Sequence, residues 1–312
     1  MTDHLFKNYS SLDVSDGLGG QPEKLLLFLS KMKNVEQLHL EELKIAVNFS
    51  NSSKICKKLC EIAEKHPNLS FKLVLADDSD ENFETLDRIQ TAEGGEEPVN
   101  AFDVLEKCRV TKLKIIQAEE DQLIALATPL SKSQVLRVTI YDCPLGGDGM
   151  NGVLQAVGAS QSKKLTWSSS RYRISENDDI DEYDYDAFYD TDDASTGKAF
   201  RDLLQNPNFP LEELWLSMIP LGNAGGVILA QAFSHPEFRL QKLTLSATAM
   251  DDEIIAHIIT SAARSLTLKS LEKLPFGPLA EKAAEDAVSN NLNLTITLID
   301  RNRQTHTYSA SL

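Results

Sequence analysis

The chain of 312 residues predicts an α/β solenoid, in which short strand-and-helix units stack side by side, and three observations carry that prediction. The first is a recurring segment. "LEELWLSMIPLGNAGGVILAQAF" at 211–233 matches "VLRVTIYDCPLGGDGMNGVLQAV" at 135–157 and "LQKLTLSATAMDDEIIAHI" at 240–258, position for position. The second is alternation: side chains alternate across a strand, so Leu214 and Leu216 turn one way and Trp215 the other. The third is a helical stripe, Ile254, Ile255, Ile258, Ile259 and Ala262, recurring three and four apart. Neither element is long enough to bury its own apolar face, so each unit needs its neighbours to cover it.

Taken in order, residues 1–34 read as an N-terminal cap whose helix is "KLLLFLSKM". Further copies of the unit start at Val35, Val110, near Ser162 and at Leu268, with degenerate copies at 68–75 and 291–298. Starts at 135, 162, 211, 240 and 268 are spaced 27, 49, 29 and 28, so the period is 27 to 29 and one interval holds a large insertion. A solenoid grows by adding layers, so the repeat body from 35 to 300 is expected to be one domain. Residues 301–312, "RNRQTHTYSASL", are polar and are expected to be a flexible C-terminal tail.

The net charge of −16 is unevenly placed. Residues 77–97 hold nine acids and one arginine, and residues 176–193 hold ten acids and no base. These two insertions carry −18 between them, which leaves the rest of the chain at +2. Such composition suits solvated loops that cannot bury a core. The second insertion also holds Tyr183, Tyr185, Phe188 and Tyr189 among its carboxylates, a mixture that can grip Lys and Arg of a basic partner through ion pairs and ring stacking. Calcium is a further reading of so many oxygen ligands, but no D-x-D-x-D-G loop is present.

The L-x-x-L-x-L core, the LG..G turn at 221–226 and the 27 to 29 period resemble leucine-rich repeats of the ribonuclease-inhibitor type, over roughly residues 35 to 298. The resemblance implies a curved horseshoe with parallel strands on the concave face and helices on the convex face. It also implies a polar side chain at the ninth position of each unit, capping turn backbone. Cys143 fits and Thr248 can substitute, but Ile219 and Phe276 cannot, so irregular turns are expected there. Irregular copies with long insertions are similar in style to the eukaryotic-like repeat proteins that intracellular bacteria deliver into host cells. That likeness implies a bacterial effector working in the host cytoplasm.

Residue chemistry argues against catalysis. The six histidines form no H-E-x-x-H pattern and no G-x-S-x-G elbow occurs. "LGGDGMNG" at 145–152 lacks the Lys-Ser/Thr of a phosphate loop and is read as a turn. Cys56 and Cys60 lie four apart on one helix, with Cys108 and Cys143 far away in sequence; packing in a reducing, cytoplasmic compartment is expected, with no metal and no cofactor. No run of 18 apolar residues or secretory signal is found, so no membrane insertion is expected. Scattered lysines beside acidic loops disfavour nucleic acid.

What remains is recognition. With Leu214 and Leu216 turned inward, Trp215 projects from the concave face, and the same parity exposes Tyr141 about 10 Å away across Thr166 and Ser168. Arg137, Asp142, Glu212, Glu213 and Met218 are expected to border this cleft, and Lys112, Lys114, Gln241 and Lys242 to extend it. His39 is placed on the same face. Exposed Trp, Tyr and Arg are the residue types that most often dominate a binding surface. A protein–protein interaction scaffold is therefore expected, its partner another protein with a basic surface steered by the acidic loops, although Trp215 could instead be covered by the chain's own insertion. The resemblance also leaves open a regulator of the GTPase-activating type, for which Asn223 and Arg171 on the strand-to-helix rim are the nominal candidates.

Overall fold

Where apolar and polar residues alternate, the chain extends, and where apolar residues recur every three or four positions, it coils. The computed structural model describes residues 11–13, 26, 29, 31, 42–48, 53–76, 100–169 and 193–310. Its strands are β1 (Ser11–Asp13), β2 (Glu42–Asn48), β3 (Ser70–Ala76), β4 (Val110–Ile116), β5 (Arg137–Tyr141), β6 (Lys164–Ser168), β7 (Glu213–Ser217), β8 (Lys242–Ser246), β9 (Ser270–Pro275), β10 (Thr295–Ile299) and β11 (Thr305–Tyr308). Between them run α1 (Ser53–Lys65), α2 (Ala101–Lys107), α3 (Glu120–Lys132), α4 (Gly147–Ala159), α5 (Asp193–Leu204), α6 (Gly222–Ala230), α7 (Asp252–Ala262) and α8 (Pro278–Asn290). A parallel strand pair needs a crossover, and from β2 to β10 each gap holds one α-helix among the described residues, extended between β7 and β8 by the 3-10 turn Gln231–Ser234. The result is an open α/β sheet of eleven strands in chain order, the first ten parallel and β11 antiparallel to β10.

The inward row of the sheet explains its stability. Ile45 on β2 stands in register with Leu73, Leu113, Val138, Leu165, Leu214, Leu243 and Leu271, and then with Ile296 on β10. All nine are buried in one continuous core, and each such side chain stabilises by about 1.5–3 kcal/mol. A second inward row runs through Ile140, Trp167, Leu216 and Leu245. Trp167 fills there, in one unit, the place that a leucine or isoleucine fills in its neighbours, and its ring meets Phe200 of α5 edge-on at 6.3 Å. Leu211 is buried beneath β7, and on α7 the residues Ile255, Ile258, Ile259 and Ala262 are buried while His257 is exposed, as the stripe requires.

Strand ends turn by a repeated device. Gln117, Asp142 and Met218 follow β4, β5 and β7, and each adopts a positive φ of 52–53°. Their N–H groups donate to carbonyls of the next strand: Gln117 to Tyr141, Asp142 to Ser168 and Met218 to Ser246. Such left-handed backbone costs a non-glycine residue about 1 kcal/mol, which the cross-strand bonds offset. The ninth position behaves unevenly, as expected. The Cys143 thiol donates to the Tyr141 carbonyl, whereas the buried Thr248 hydroxyl has no partner among the described residues and the Thr248 carbonyl instead accepts the Leu221 and Gly222 N–H groups.

Helix starts are tied across units. Glu120 of α3 accepts the Gly149 N–H of α4. Asn223 of α6 pairs with Asp251 before α7, and Asp252 accepts the Leu279 and Ala280 N–H groups of α8. These first-turn N–H groups have no partner inside their own helices, so a carboxylate from the neighbour satisfies them. Between α5 and α6 the backbones touch: a Cβ on Gly197 would lie 2.5 Å from the Gly225 Cα.

The copy read from Val35 falls largely at 32–41, outside the described residues, and a strand not anticipated runs from Glu42 to Asn48. Within 301–312, expected to be a flexible tail, Thr305–Tyr308 forms β11, pairs with the last parallel strand β10 and lets the Tyr308 hydroxyl donate to Glu281. β-branched threonines suit that edge strand, but without an inward apolar row they look like a tail. Of the cap, Leu26 and Leu29 are helical and buried. The acidic insertions fall almost wholly in 77–99 and 170–192, outside the described residues, although Asp193 already begins α5.

Candidate functional site

The sheet face turned away from the inward leucine rows carries the candidate site. Its outward positions follow from register: Thr139, Thr166, Trp215, Thr244 and Glu272 form one row, and Tyr141, Ser168, Ser217 and Ser246 the next. Small hydroxyl side chains thus surround two rings. Trp215 is 41% exposed, while the leucines flanking it in sequence are no more than 1% exposed. Met218, which follows β7, is 37% exposed. Tyr141 is half-buried. Because it lies one row further along and two strands away, the Trp215–Tyr141 separation is diagonal, about 12 Å between Cα atoms by strand spacing and rise.

Both rings are capped by lysines. Lys273 Nζ stands 4.2 Å from the Trp215 ring centroid, and Lys114 Nζ stands 5.8 Å from that of Tyr141. Lys273 reaches there from a residue with φ of 61°, where the β9–β10 register shifts. Cation–π pairs of this kind contribute about 0.5–1 kcal/mol at exposed sites.

The other expected border residues divide. Arg137 is exposed, and no ion pair or hydrogen bond to it is found among the described residues. Glu212 and Glu213 are half-buried and already engaged, by Lys163 at 3.1 Å and by Lys164. Asp142 is corrected: it is 3% exposed, so it borders nothing on the surface. Counted on from the buried Val138 and Ile140, alternation turns it inward. Tyr183, Tyr185 and Tyr189, and with them Phe188, His39 and Arg171, lie outside the described residues. Asn223 is held by Asp251 in the helix-start pairing described above, which commits its amide to structure.

Lys112, Arg137 and Lys242 were expected on this face, but their alignment in one row with Lys44, Lys72 and Lys164 was not. Lys44, Lys72, Lys112, Arg137 and Lys164 occupy paired positions on β2 to β6, five successive strands. Asp13 on β1 bounds the row and Glu213 on β7 interrupts it, after which Lys242 resumes it on β8. Lys112 pairs with Glu42 at 2.6 Å and Lys242 with Glu272 at 2.8 Å. Desolvation pushes the Glu272 carboxyl up, but the Lys242 and Ser270 hydrogen bonds outweigh it and hold the carboxyl below its ordinary value. For Lys72, as for Arg137, no carboxylate partner is found among the described residues. The signal was in the sequence: in every unit from 110 to 240 the third residue is Lys112, Arg137, Lys164, Glu213 or Lys242.

The thiols sit apart from this face, in the core. Cys108, distant in sequence, lies with its Sγ 4.0 Å from that of Cys60. Burial, then Cys60 and Asp103 nearby, pushes the Cys56 thiol up to about 12. The Cys108 thiol donates to Cys60, which lowers the pKa of Cys60 and raises that of Cys108. Among the described residues no three His, Cys, Asp or Glu side chains converge as metal ligands, and no helix is long and apolar enough to cross a membrane.

Fold and site together define an open α/β repeat sheet with one partly aromatic, partly basic face. Comparison of the chain with models of known protein families gives no match, and comparison with curated proteins gives none.

Proposed function

We propose that the chain is a leucine-rich repeat solenoid of the ribonuclease-inhibitor type that serves as a non-enzymatic scaffold, holding another protein on the face that bears Trp215. What supports this reading most is the exposure of Trp215 and Met218 together, on and just after a strand whose two leucines are buried. A rigid sheet that leaves an indole and a thioether in water loses the free energy of covering them, and a partner recovers it. Strand-in-register order and one helix per crossover support the repeat assignment. An effector working inside a host cell fits the same reading, with the host protein as partner. Asn223 is already spent on Asp251, so nothing on the described rim favours a GTPase-activating role.

Trp215→Ala tests the scaffold. Affinity for a ligand of this face is expected to fall by about 2 kcal/mol, roughly thirtyfold, as for a buried aromatic anchor. Unchanged affinity in a folded variant would remove the face from the function.

A further inference from the structure

The row of cations gives the partner a chemistry. We infer that the Trp215 face takes an acidic segment of its protein partner, an acidic helix face above all; the inference rests on the scaffold reading and goes further by fixing charge and shape. A basic partner, expected from the acidic insertions, is not favoured on this face. Lys44, Lys72, Lys112, Arg137 and Lys164 stand on consecutive strands, about 4.8 Å apart and about 19 Å from end to end. Lys114 lies one row further along β4 and Lys273 lies over Trp215, and both add to the same sign.

Carboxylates are the matching group, and the protein itself demonstrates the fit. Glu42 and Glu272 reach the row from neighbouring positions and pair with Lys112 and Lys242, while Glu213, within the row, pairs with Lys164. Lys72 and Arg137 carry no such pair among the described residues, and Arg137 is exposed, so these two are the positions left for an incoming acid. Spacing selects the shape. A helix presents one face every three or four residues, about 4.5–6 Å along its axis, which brackets the strand step. An extended strand presents one face every two residues, about 6.8 Å, and falls out of step. About thirteen residues of helix would span the five cations. Polyphosphate is disfavoured because Lys112 and Lys164 are already neutralised by Glu42 and Glu213, so Lys72 and Arg137 stand apart and no unbroken run of uncompensated cations meets a polyanion.

A displayed library of random 15-residue peptides, selected on the full chain, tests this. The inference expects enriched peptides rich in Glu and Asp at helical spacing. Their binding should fall at least tenfold in Lys72→Glu/Arg137→Glu, fall in Trp215→Ala, and weaken with added salt, while both variants melt within about 4 °C of wild type. Enriched peptides that are neutral or basic, yet still need Trp215, would overturn the acidic class and leave the scaffold standing. Enrichment indifferent to Trp215, or none at all, would overturn both. A single-stranded oligonucleotide titrated in parallel is expected to bind more weakly than the acidic peptides; tighter binding would make the face a nucleic-acid site and end the inference.

Discussion

Two indoles one strand apart meet opposite fates, and parity alone separates them. Trp167 follows Leu165 by two residues and turns inward with it, whereas Trp215 sits between Leu214 and Leu216 and turns out. Trp167→Ala is expected to cost about 3–5 kcal/mol, because the cavity left beside Phe200 cannot close. Trp215→Ala is expected to cost under about 1 kcal/mol, since only the Lys273 contact and partial burial are lost. Chemical denaturation of the two variants checks the contrast, and a large loss at Trp215 would make it a core residue. The direction of Trp215 was legible in "LWL", because leucines on both sides fix the register. The same rule applied to Asp142 would have removed it from the border, because alternation counted on from Val138 and Ile140 turns it inward.

Elements were legible wherever the unit repeats its leucines. β4 to β10 fall where the starts at 110 to 291 place them, because nine inward residues in one row enforce the spacing. β2 and β11 escaped, the first because its apolar run follows another candidate copy and the second because "THTY" buries no leucine row. The ties between helix starts were equally hidden, since their partners lie 27 to 29 residues apart. Asp252→Ala removes both acceptors from the start of α8 and is expected to destabilise by about 1 kcal/mol, read as a lower melting temperature. A variant as stable as wild type would mean that water replaces the carboxylate there.

At the scale of the molecule, charge is sorted in a way composition conceals. The acidic insertions carry −18 of a net −16, so the repeat body is nearly neutral, yet six of its cations align in one row on one face. Reading the sequence along the chain scatters those lysines; reading it down the repeat aligns them. The candidate site was therefore half visible: its aromatic centre came from local alternation, and its electrostatics came only from the stacking of distant strands. Acrylamide quenching of the two tryptophans, with and without a peptide selected on the protein, tests the central claim most directly. The account expects one indole open to quencher in the free protein and shielded in the complex, with Trp167 protected throughout. Two shielded indoles in the free protein, or an open one that binding leaves open, would contradict it.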